Sequence, residues 1–146
     1  MIHRFKYRQR WADARLLARL MLEDVPDWPA GTLLLPIPLH PHRLRERGYN
    51  QAALLTRHLA RTMQLPSSLT ALQREHDTPQ QQGLSRQERQ RNLKGAFRVD
   101  SSQVAGRCVV LVDDVMTTGS TLDTASRALL RAGARQVEGW VLARAL

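Results

Sequence analysis

The chain has 146 residues, the length of one domain with a single hydrophobic core of ordinary size. It carries 22 Lys and Arg against 13 Asp and Glu, which gives a net charge of +9 and predicts an affinity for anions. Because 42% of its residues are hydrophobic, the chain is predicted to fold and not to be a disordered basic tail. The lone cysteine, Cys108, excludes an internal disulfide and a metal site built mainly from thiolates.

The first predicted elements are a helix and a strand. Apolar residues recur at helical spacing over residues 7–23, with arginines on the opposite side, which predicts an amphipathic helix. Residues 32–37 form a short apolar run without alternation, which predicts a strand buried on both faces. The segment HPHRLRERGY, residues 40–49, is predicted to be a basic loop.

A second helix and a long polar segment follow. Asn50 is predicted to cap a helix over residues 51–63, and a short strand is predicted at residues 69–73. Residues 75–95 contain five glutamines and several arginines but almost no large apolar side chain, so they offer little that a core could bury. We interpret this segment as a long flexible loop.

The last third of the chain alternates strands and a helix. Strands are predicted at residues 96–99 and 108–112, a helix at residues 120–132 and a final strand at residues 136–143. Apolar strands that alternate with helices of about a dozen residues are typical of βαβ units. The sequence therefore predicts an α/β fold with a mostly parallel sheet covered by helices.

The uncharged stretches do not suit a membrane helix. The longest, residues 28–42, is interrupted by Pro29, Pro36, Pro38 and Pro41. The first residues, MIHRFKYRQRW, place charged and aromatic side chains where a secretory signal needs an apolar core. We therefore expect a cytoplasmic protein without a membrane span.

The stretch VVLVDDVMTTGST, residues 109–121, carries the strongest functional signal. A buried strand that ends in Asp113 and Asp114 and turns through a hydroxyl-rich loop into a helix places that loop at the carboxyl edge of a parallel sheet, where α/β folds bind ligands. The loop N–H groups and the positive helix end suit a phosphate monoester, and Gly119 allows close approach of the backbone. Because carboxylates only accept hydrogen bonds, the two acids suit the hydroxyls of a sugar attached to that phosphate.

Taken singly, these residues have a simpler explanation, because acidic residues end strands and Ser and Thr cap helices. The combination of two adjacent acids after five apolar residues with T-T-G-S-T at this spacing favours the functional interpretation. A nucleoside triphosphate loop fits less well, since the chain lacks the G-x-x-x-x-G-K-[ST] pattern.

Residues 109–121 resemble the phosphoribosyl pyrophosphate (PRPP) binding motif of the type I phosphoribosyltransferases. Two further stretches, LLLPIPLHPHRLRERGYNQAALL and RQRNLKGAF, precede it in the order seen in the ComF/GntX family, a phosphoribosyltransferase-like group linked to competence and DNA utilisation in bacteria. The resemblance covers nearly the whole chain. It implies a single type I phosphoribosyltransferase-like domain, an α/β fold whose parallel sheet is flanked by helices and carries a small hood.

The resemblance also implies PRPP as the ligand and Mg²⁺ as the cofactor. Asp113 and Asp114 would be the catalytic residues, which hold the ribose hydroxyls and stabilise the positive charge that develops as pyrophosphate leaves. Mg²⁺ would bind through PRPP, with the same two acids as further candidate ligands. The residues that would bind the 5′-phosphate are Thr117, Thr118, Gly119, Ser120 and Thr121.

Two groups of basic residues are candidates for binding the pyrophosphate. Arg43 and Arg47 follow the first predicted strand and so belong to the same edge of the sheet, where guanidinium groups bind pyrophosphate well. The alternative for them is a solvated basic loop. Relatives of this kind have a lid at the position of the flexible loop, and this lid closes over the substrate. The alternative for the flexible loop is a soluble linker. The candidate lid residues are Arg86, Arg89, Arg91 and Asn92.

Two departures from the family pattern bear on function. ComF proteins usually begin with a cysteine-rich zinc-binding segment, whereas this sequence starts directly at the helix that would follow it. Some relatives that act on purine bases have an aspartate at the position of Thr117, where it helps to move a proton on the base. A hydroxyl at this position weakens the case for purine salvage.

The resulting prediction is a ComF-type protein that transfers a phosphoribosyl group to an unidentified nitrogen acceptor and releases pyrophosphate. The alternative is an accessory protein for competence or DNA uptake, which binds PRPP or a nucleotide without catalysis and contacts single-stranded DNA. The charge of +9 favours such a contact. The sequence identifies no acceptor and leaves a homodimer open.

Overall fold

The computed structural model describes residues 7–39, 41–74, 96–116 and 119–144. The helices and strands within these ranges follow in the order α1 (Tyr7–Leu22), β1 (Leu33–Pro36), α2 (Pro41–Arg47), α3 (Gln51–Met63), β2 (Leu72–Arg74), β3 (Phe97–Val99), α4 (Ser101–Val104), β4 (Cys108–Met116), α5 (Ser120–Arg131) and β5 (Gln136–Arg144). The predicted flexible loop, residues 75–95, lies outside the described residues.

The main sheet is parallel, with β4 between β1 and β5. The pairing of β4 with β1 ends at Pro36 and Val112, whereas its pairing with β5 continues to Met116 and Arg144. The prediction of an α/β fold with a parallel sheet is therefore confirmed. Its carboxyl edge is stepped, because the last four residues of β4 extend past the end of β1.

The sheet separates two hydrophobic cores. Successive side chains of a strand point to opposite faces, so an unbroken apolar run serves both. On one face, Leu34 and Val110 pack with residues of α1 and α3. On the other face, Leu35 and Leu111 pack with residues of α5 and of β2 and β3. The prediction of a first strand buried on both faces is confirmed.

The strands β2 and β3 form a separate antiparallel pair, which we call the β2–β3 ribbon. Leu72 and Phe97 anchor it in the core that contains α5. This ribbon is the described part of the small hood that the family resemblance implies. A helix absent from the sequence prediction, α4, follows it and is capped by Asp100, whose carboxylate accepts a hydrogen bond from the N–H of Ser102 at 3.1 Å.

A short segment also runs along the outer edge of β1. The N–H of Leu34 donates to the carbonyl oxygen of Pro66 at 2.9 Å, and the N–H of Ser68 donates to the carbonyl oxygen of Leu34 at 3.2 Å. Leu34 and Ser67 form a parallel bridge. Residues 66–68 thus cover β1 on the side opposite to β4.

The prediction of a basic loop at residues 40–49 is wrong for most of that segment, because Pro41–Arg47 is the helix α2. Proline fits the first helical position, where its missing N–H is not needed. One turn is reinforced by His42 and Glu46, whose side chains approach to 3.1 Å. Gly48 then adopts a positive φ of 80° and its N–H donates to the carbonyl oxygen of Leu44, which ends the helix.

The prediction for α3 is confirmed, including its cap. The side-chain oxygen of Asn50 accepts a hydrogen bond from the N–H of Ala52 at 3.0 Å, and its amide nitrogen donates to the carbonyl oxygen of Ile37 at 3.1 Å. The cap therefore ties the start of α3 to the end of β1. None of the helices in the described part of the chain is long and apolar enough to span a bilayer.

Candidate functional site

Asp113 and Asp114 lie within β4, not directly after it as predicted. The strand continues to Met116 because β5 provides pairing partners that far. The N–H of Ile37 donates to the carbonyl oxygen of Val112 at 3.0 Å, so the contact with the β1 segment ends just before the two acids. The acids therefore lie at the stepped carboxyl edge of the sheet, where parallel α/β proteins bind their ligands.

The two carboxyl groups interact with each other. The N–H of Asp114 donates to the carboxylate of Asp113 at 2.9 Å, and the two side chains are within hydrogen-bond reach. Burial raises the pKa of Asp113 from 3.8 to about 7, and the neighbouring carboxyl group of Asp114 adds to that shift. Asp113 is therefore partly protonated near neutral pH, which the sequence pattern alone does not predict.

This shift predicts how stability depends on pH. Between about pH 4 and pH 7 folded Asp113 keeps a proton that the unfolded chain releases, so its contribution to the free energy of unfolding falls as pH rises through this window. We expect Asp113→Asn, which cannot titrate, to gain stability relative to the wild type between about pH 5.5 and pH 8. Urea unfolding at both pH values measures the difference.

The matched control for this measurement is Asp123→Asn, at an exposed carboxylate on α5 that pairs with Arg127. We expect its stability difference from the wild type to stay constant over the same pH range. A difference for Asp113→Asn that also stays constant would contradict the raised pKa.

Gly119 begins the helix α5 with a left-handed backbone, at φ 82° and ψ −3°. Side chains with a Cβ rarely adopt this conformation, so the turn requires glycine. The first N–H groups of a helix lack partners within it and attract anions. Ser120 and Thr121 occupy the first turn of α5, with Ser120 exposed and Thr121 half-buried. Thr117 and Thr118 lie outside the described residues.

The proposed pyrophosphate arginines belong to α2. Arg43 and Arg47 are four positions apart in this helix, so their backbones lie one above the other on the same side. Because α2 starts soon after β1 ends, it lies at the carboxyl edge that also carries the two acids. The four candidate lid residues, Arg86, Arg89, Arg91 and Asn92, lie outside the described residues.

The fold of the chain is shared with solved structures. The glutamine PRPP amidotransferase from B. subtilis, complexed with ADP and GMP, matches with a TM-score of 0.62 and 19% identity over 91% of this chain and 26% of that chain. A structure of the allosteric regulatory enzyme of purine biosynthesis also matches 91% of this chain and 26% of that chain, with a TM-score of 0.58 and 19% identity. The class is thus that of proteins with a type I phosphoribosyltransferase fold.

Sequence comparisons define the family more closely. The phosphoribosyl transferase domain family matches residues 49–146. Competence protein F of Haemophilus influenzae is 41% identical over 99% of this chain and 67% of that protein. DNA utilization protein YhgH of Escherichia coli K12 is 41% identical over 100% of this chain and 66% of that protein. Competence protein ComFC of Bacillus subtilis is 36% identical over 77% of this chain and 44% of that protein.

The chain belongs to the phosphoribosyl transferase domain family and is a ComF-type member of it. It spans about two thirds of the length of Competence protein F and of YhgH. The family resemblance seen in the sequence is therefore confirmed.

Proposed function

We propose that the protein binds PRPP together with Mg²⁺ and transfers the phosphoribosyl group to a nitrogen acceptor, with release of pyrophosphate. The observation that carries this proposal is the meeting of two features at one edge of the sheet. The interacting carboxyl groups of Asp113 and Asp114 lie near the end of β4, and three residues after Met116 the glycine start of α5 offers its N–H groups. Sugar hydroxyls and a phosphate are the ligands that these two features suit.

Each part of the site has a role in this proposal. Residues 117–121 bind the 5′-phosphate, and Asp113 and Asp114 bind the ribose hydroxyls. As the bond from the anomeric carbon to pyrophosphate breaks, positive charge develops on the sugar, and the negative charge of the carboxyl pair stabilises it. Arg43 and Arg47 bind the departing pyrophosphate, to which guanidinium groups form charge-assisted hydrogen bonds. Arg86, Arg89, Arg91 and Asn92 close over the ligand.

The residues present are compatible with Mg²⁺ that arrives with the substrate. Mg²⁺ prefers oxygen ligands and usually binds through one or two carboxylates together with substrate phosphates. Asp113 and Asp114 provide such carboxylates, whereas the described residues contain no group of three or more His, Cys, Asp or Glu that could hold a metal alone. When bound, the ion supplies positive charge to the pyrophosphate.

The proposal is tested by measuring PRPP binding and pyrophosphate release in the same preparation. We expect calorimetry to show PRPP binding that disappears when Mg²⁺ is chelated, and pyrophosphate release that accelerates when amines and heterocyclic bases are supplied. Absence of binding at millimolar PRPP with Mg²⁺ would refute the proposed site. Binding without release for any acceptor would favour the second candidate function.

That second candidate is an accessory protein that contacts single-stranded DNA, and one surface favours it. Burial lowers the pKa of His58, and the positive charges of Arg15 on α1 and of Arg61 and Arg57 on α3 lower it further. Three exposed arginines on two helices that contact each other, all acting on the same histidine, suit the phosphates of a nucleic acid backbone. The names of two relatives, a competence protein and a DNA utilization protein, agree with such a contact.

The DNA contact predicts a specific salt dependence. Each phosphate contact to a single strand contributes about −0.7 to the slope of log affinity against log salt concentration, so Arg57→Gln with Arg61→Gln should reduce the slope by about 1.4. Fluorescence anisotropy with a labelled oligothymidylate measures it between about 50 and 200 mM salt. The control is Arg127→Gln with Arg131→Gln on α5, which should leave the slope unchanged. Equal slopes for both double variants would exclude this surface.

A further inference from the structure

The strand β5 lies at one edge of the main sheet. Its inner side pairs with β4 from Gln136 to Arg144. As far as the structure describes the chain, no strand or segment pairs with its outer side. Every second residue of an edge strand directs its N–H and C=O groups outward, so the outer side of β5 offers these groups to another strand.

The sequence of β5 suits the addition of a strand. Proline, lysine or a β-bulge in an edge strand hinders such pairing. The nine residues QVEGWVLAR contain no proline or lysine, and they keep one constant register with β4, which excludes a bulge. On the opposite edge of the sheet, by contrast, residues 66–68 already run beside β1. The sheet therefore has one edge, at β5, that is suited to a partner.

The strand β5 is complementary to itself when two copies run antiparallel. Its only charged residues are Glu138 and Arg144, each three positions away from Val141. A two-fold axis at Val141 therefore places Glu138 opposite Arg144 of the second copy. The same register places Trp140 opposite Leu142 of the second copy. Residues of opposite charge and apolar residues directly opposite each other stabilise an antiparallel pair, whereas like charges destabilise it.

The carboxylate of Glu138 is already held in place by its own chain. One of its oxygens accepts a hydrogen bond from the indole N–H of Trp28 at 2.6 Å, and the other accepts one from the side-chain amide of Gln136 at 2.9 Å. Each carboxylate oxygen can accept a second hydrogen bond, so the group remains able to bind a guanidinium. Because the side chain is fixed beforehand, little conformational entropy is lost when it binds a partner.

The helix α1 extends the edge surface on the face of the sheet that carries Trp140. Arg15 acts on His58 of α3, so it belongs to the flank of α1 that faces α3. Leu17 is two residues further along, or about 200° around the helix, and so belongs to the opposite flank. Leu20 follows one turn later with 47% of its surface exposed. The flank of α1 that points away from α3 is therefore apolar.

We infer that the protein forms a two-fold homodimer in which β5 of one copy pairs antiparallel with β5 of the other, with Val141 at the axis. The two parallel sheets then join into one continuous sheet. Because the axis is perpendicular to this sheet, α1 of both copies lies on the same face, and the flanks with Leu17 and Leu20 meet. This contact adds the buried apolar area that two strand edges alone do not supply.

The dimer determines where the functional surfaces lie. The sheets of the two copies run in opposite directions, so the two carboxyl edges that carry Asp113 and Asp114 lie at opposite ends of the dimer. The helices α1 and α3 of both copies lie on one face, so the two surfaces that contain Arg15 are presented on the same side. Formation of the dimer requires neither PRPP nor DNA.

Sedimentation equilibrium of the full chain tests the dimer, and we expect twice the mass of the chain at micromolar concentration. Arg144→Glu places acids opposite each other and Glu138→Arg places bases opposite each other, so each variant should raise the dissociation constant by at least about tenfold. An equimolar mixture of the two variants pairs an acid with a base at both ends and should restore a dimer with one copy of each. A wild type that stays monomeric at high micromolar concentration would overturn the dimer.

A cysteine at the axis tests the register. In a Cys108→Ala background, oxidised Val141→Cys should form a disulfide between two copies, because opposite residues of an antiparallel pair have Cα atoms about 4.5–5.5 Å apart. Gly139→Cys is the control, since its counterpart lies four residues further along the second copy, out of reach of a disulfide. Equal cross-linking of both variants, or of neither, would overturn the pairing through β5.

The contribution of α1 is measured with a second matched pair of variants. Leu20→Lys should raise the dissociation constant by about tenfold, because it brings charges into the contact between the two helices. Leu69→Lys, at an equally exposed position that follows residues 66–68 on the opposite edge of the sheet, should leave it unchanged. Circular dichroism confirms folding of each variant. An unchanged dissociation constant in folded Leu20→Lys would overturn the contact through α1.

The dimer and the proposed function are distinguished by titrating the same proteins with PRPP and Mg²⁺. Because each proposed PRPP site lies within one copy, Arg144→Glu should bind PRPP with the affinity of the wild type while it dissociates into monomers. A wild type that sediments as a dimer but does not bind PRPP would refute the proposed function and leave the dimer intact.

Discussion

Gly119→Val is expected to weaken PRPP binding by at least about tenfold, or roughly 1.4 kcal/mol. Gly119 has φ 82° at the start of α5, a conformation that strains a β-branched residue by about 1–3 kcal/mol. The backbone would relax toward negative φ and turn the first N–H groups of α5 away from the phosphate. The added methyl groups would also obstruct its approach. Calorimetric titration with PRPP and Mg²⁺ measures the loss.

Gly31→Val provides a matched control for this experiment. Gly31 has the same φ of 82°, and a Cβ added to it would meet no atom within 4 Å, but it precedes β1 and so lies toward the opposite edge of the sheet. The control therefore introduces similar backbone strain away from the proposed site. Both variants should lose stability, and only Gly119→Val should lose affinity. Unchanged PRPP affinity in folded Gly119→Val would contradict the proposal that residues 117–121 bind the 5′-phosphate.

Asp114→Asn is expected to slow pyrophosphate release by about a hundredfold, because the developing positive charge on the ribose loses a stabilising carboxylate. Binding of a simple phosphate monoester, which has no ribose hydroxyls, should remain within about twofold of the wild type. Steady-state assays of pyrophosphate release and titration with methyl phosphate measure the two effects.

Asp113→Asn serves as the comparison for Asp114→Asn. Because the pKa of Asp113 is raised to about 7, its side chain is largely neutral below that pH, and an amide resembles this neutral form. At about pH 6 we therefore expect Asp113→Asn to lose less activity than Asp114→Asn, with the gap narrowing above pH 7. Equal activity of both variants and the wild type would refute the role of the pair at the ribose.

Much of the site could be predicted because its parts are close together in sequence. Asp113, Asp114 and Gly119 belong to one strand–turn–helix unit, in which the apolar run, the acids and the glycine each follow local rules. The exact end of β4 could not be predicted in the same way. It depends on pairing with β5, which lies 20 residues further along the chain and continues the strand past the two acids.

Other features depend on contacts that no local pattern records. The short segment PHRLRER has too few apolar residues for a helical pattern, yet the proline at its first position and the approach of His42 to Glu46 favour α2. The β2–β3 ribbon could not be predicted as a pair, because its two strands are separated by residues 75–95 and are brought together by the fold. Gln73 and Arg98, which are joined by a side-chain hydrogen bond, become partners only through this pairing.

The segment that runs beside β1 has a consequence for how the protein avoids misassembly. An exposed strand edge offers unpaired N–H and C=O groups to a second chain and so promotes aggregation. Here Pro66 and Ser68 bind both backbone groups of Leu34, and the strand ends in Pro36, which has no N–H to donate. Edge-to-edge growth of the sheet through β1 is therefore blocked, and copies of the chain cannot join into a continuous sheet on that side.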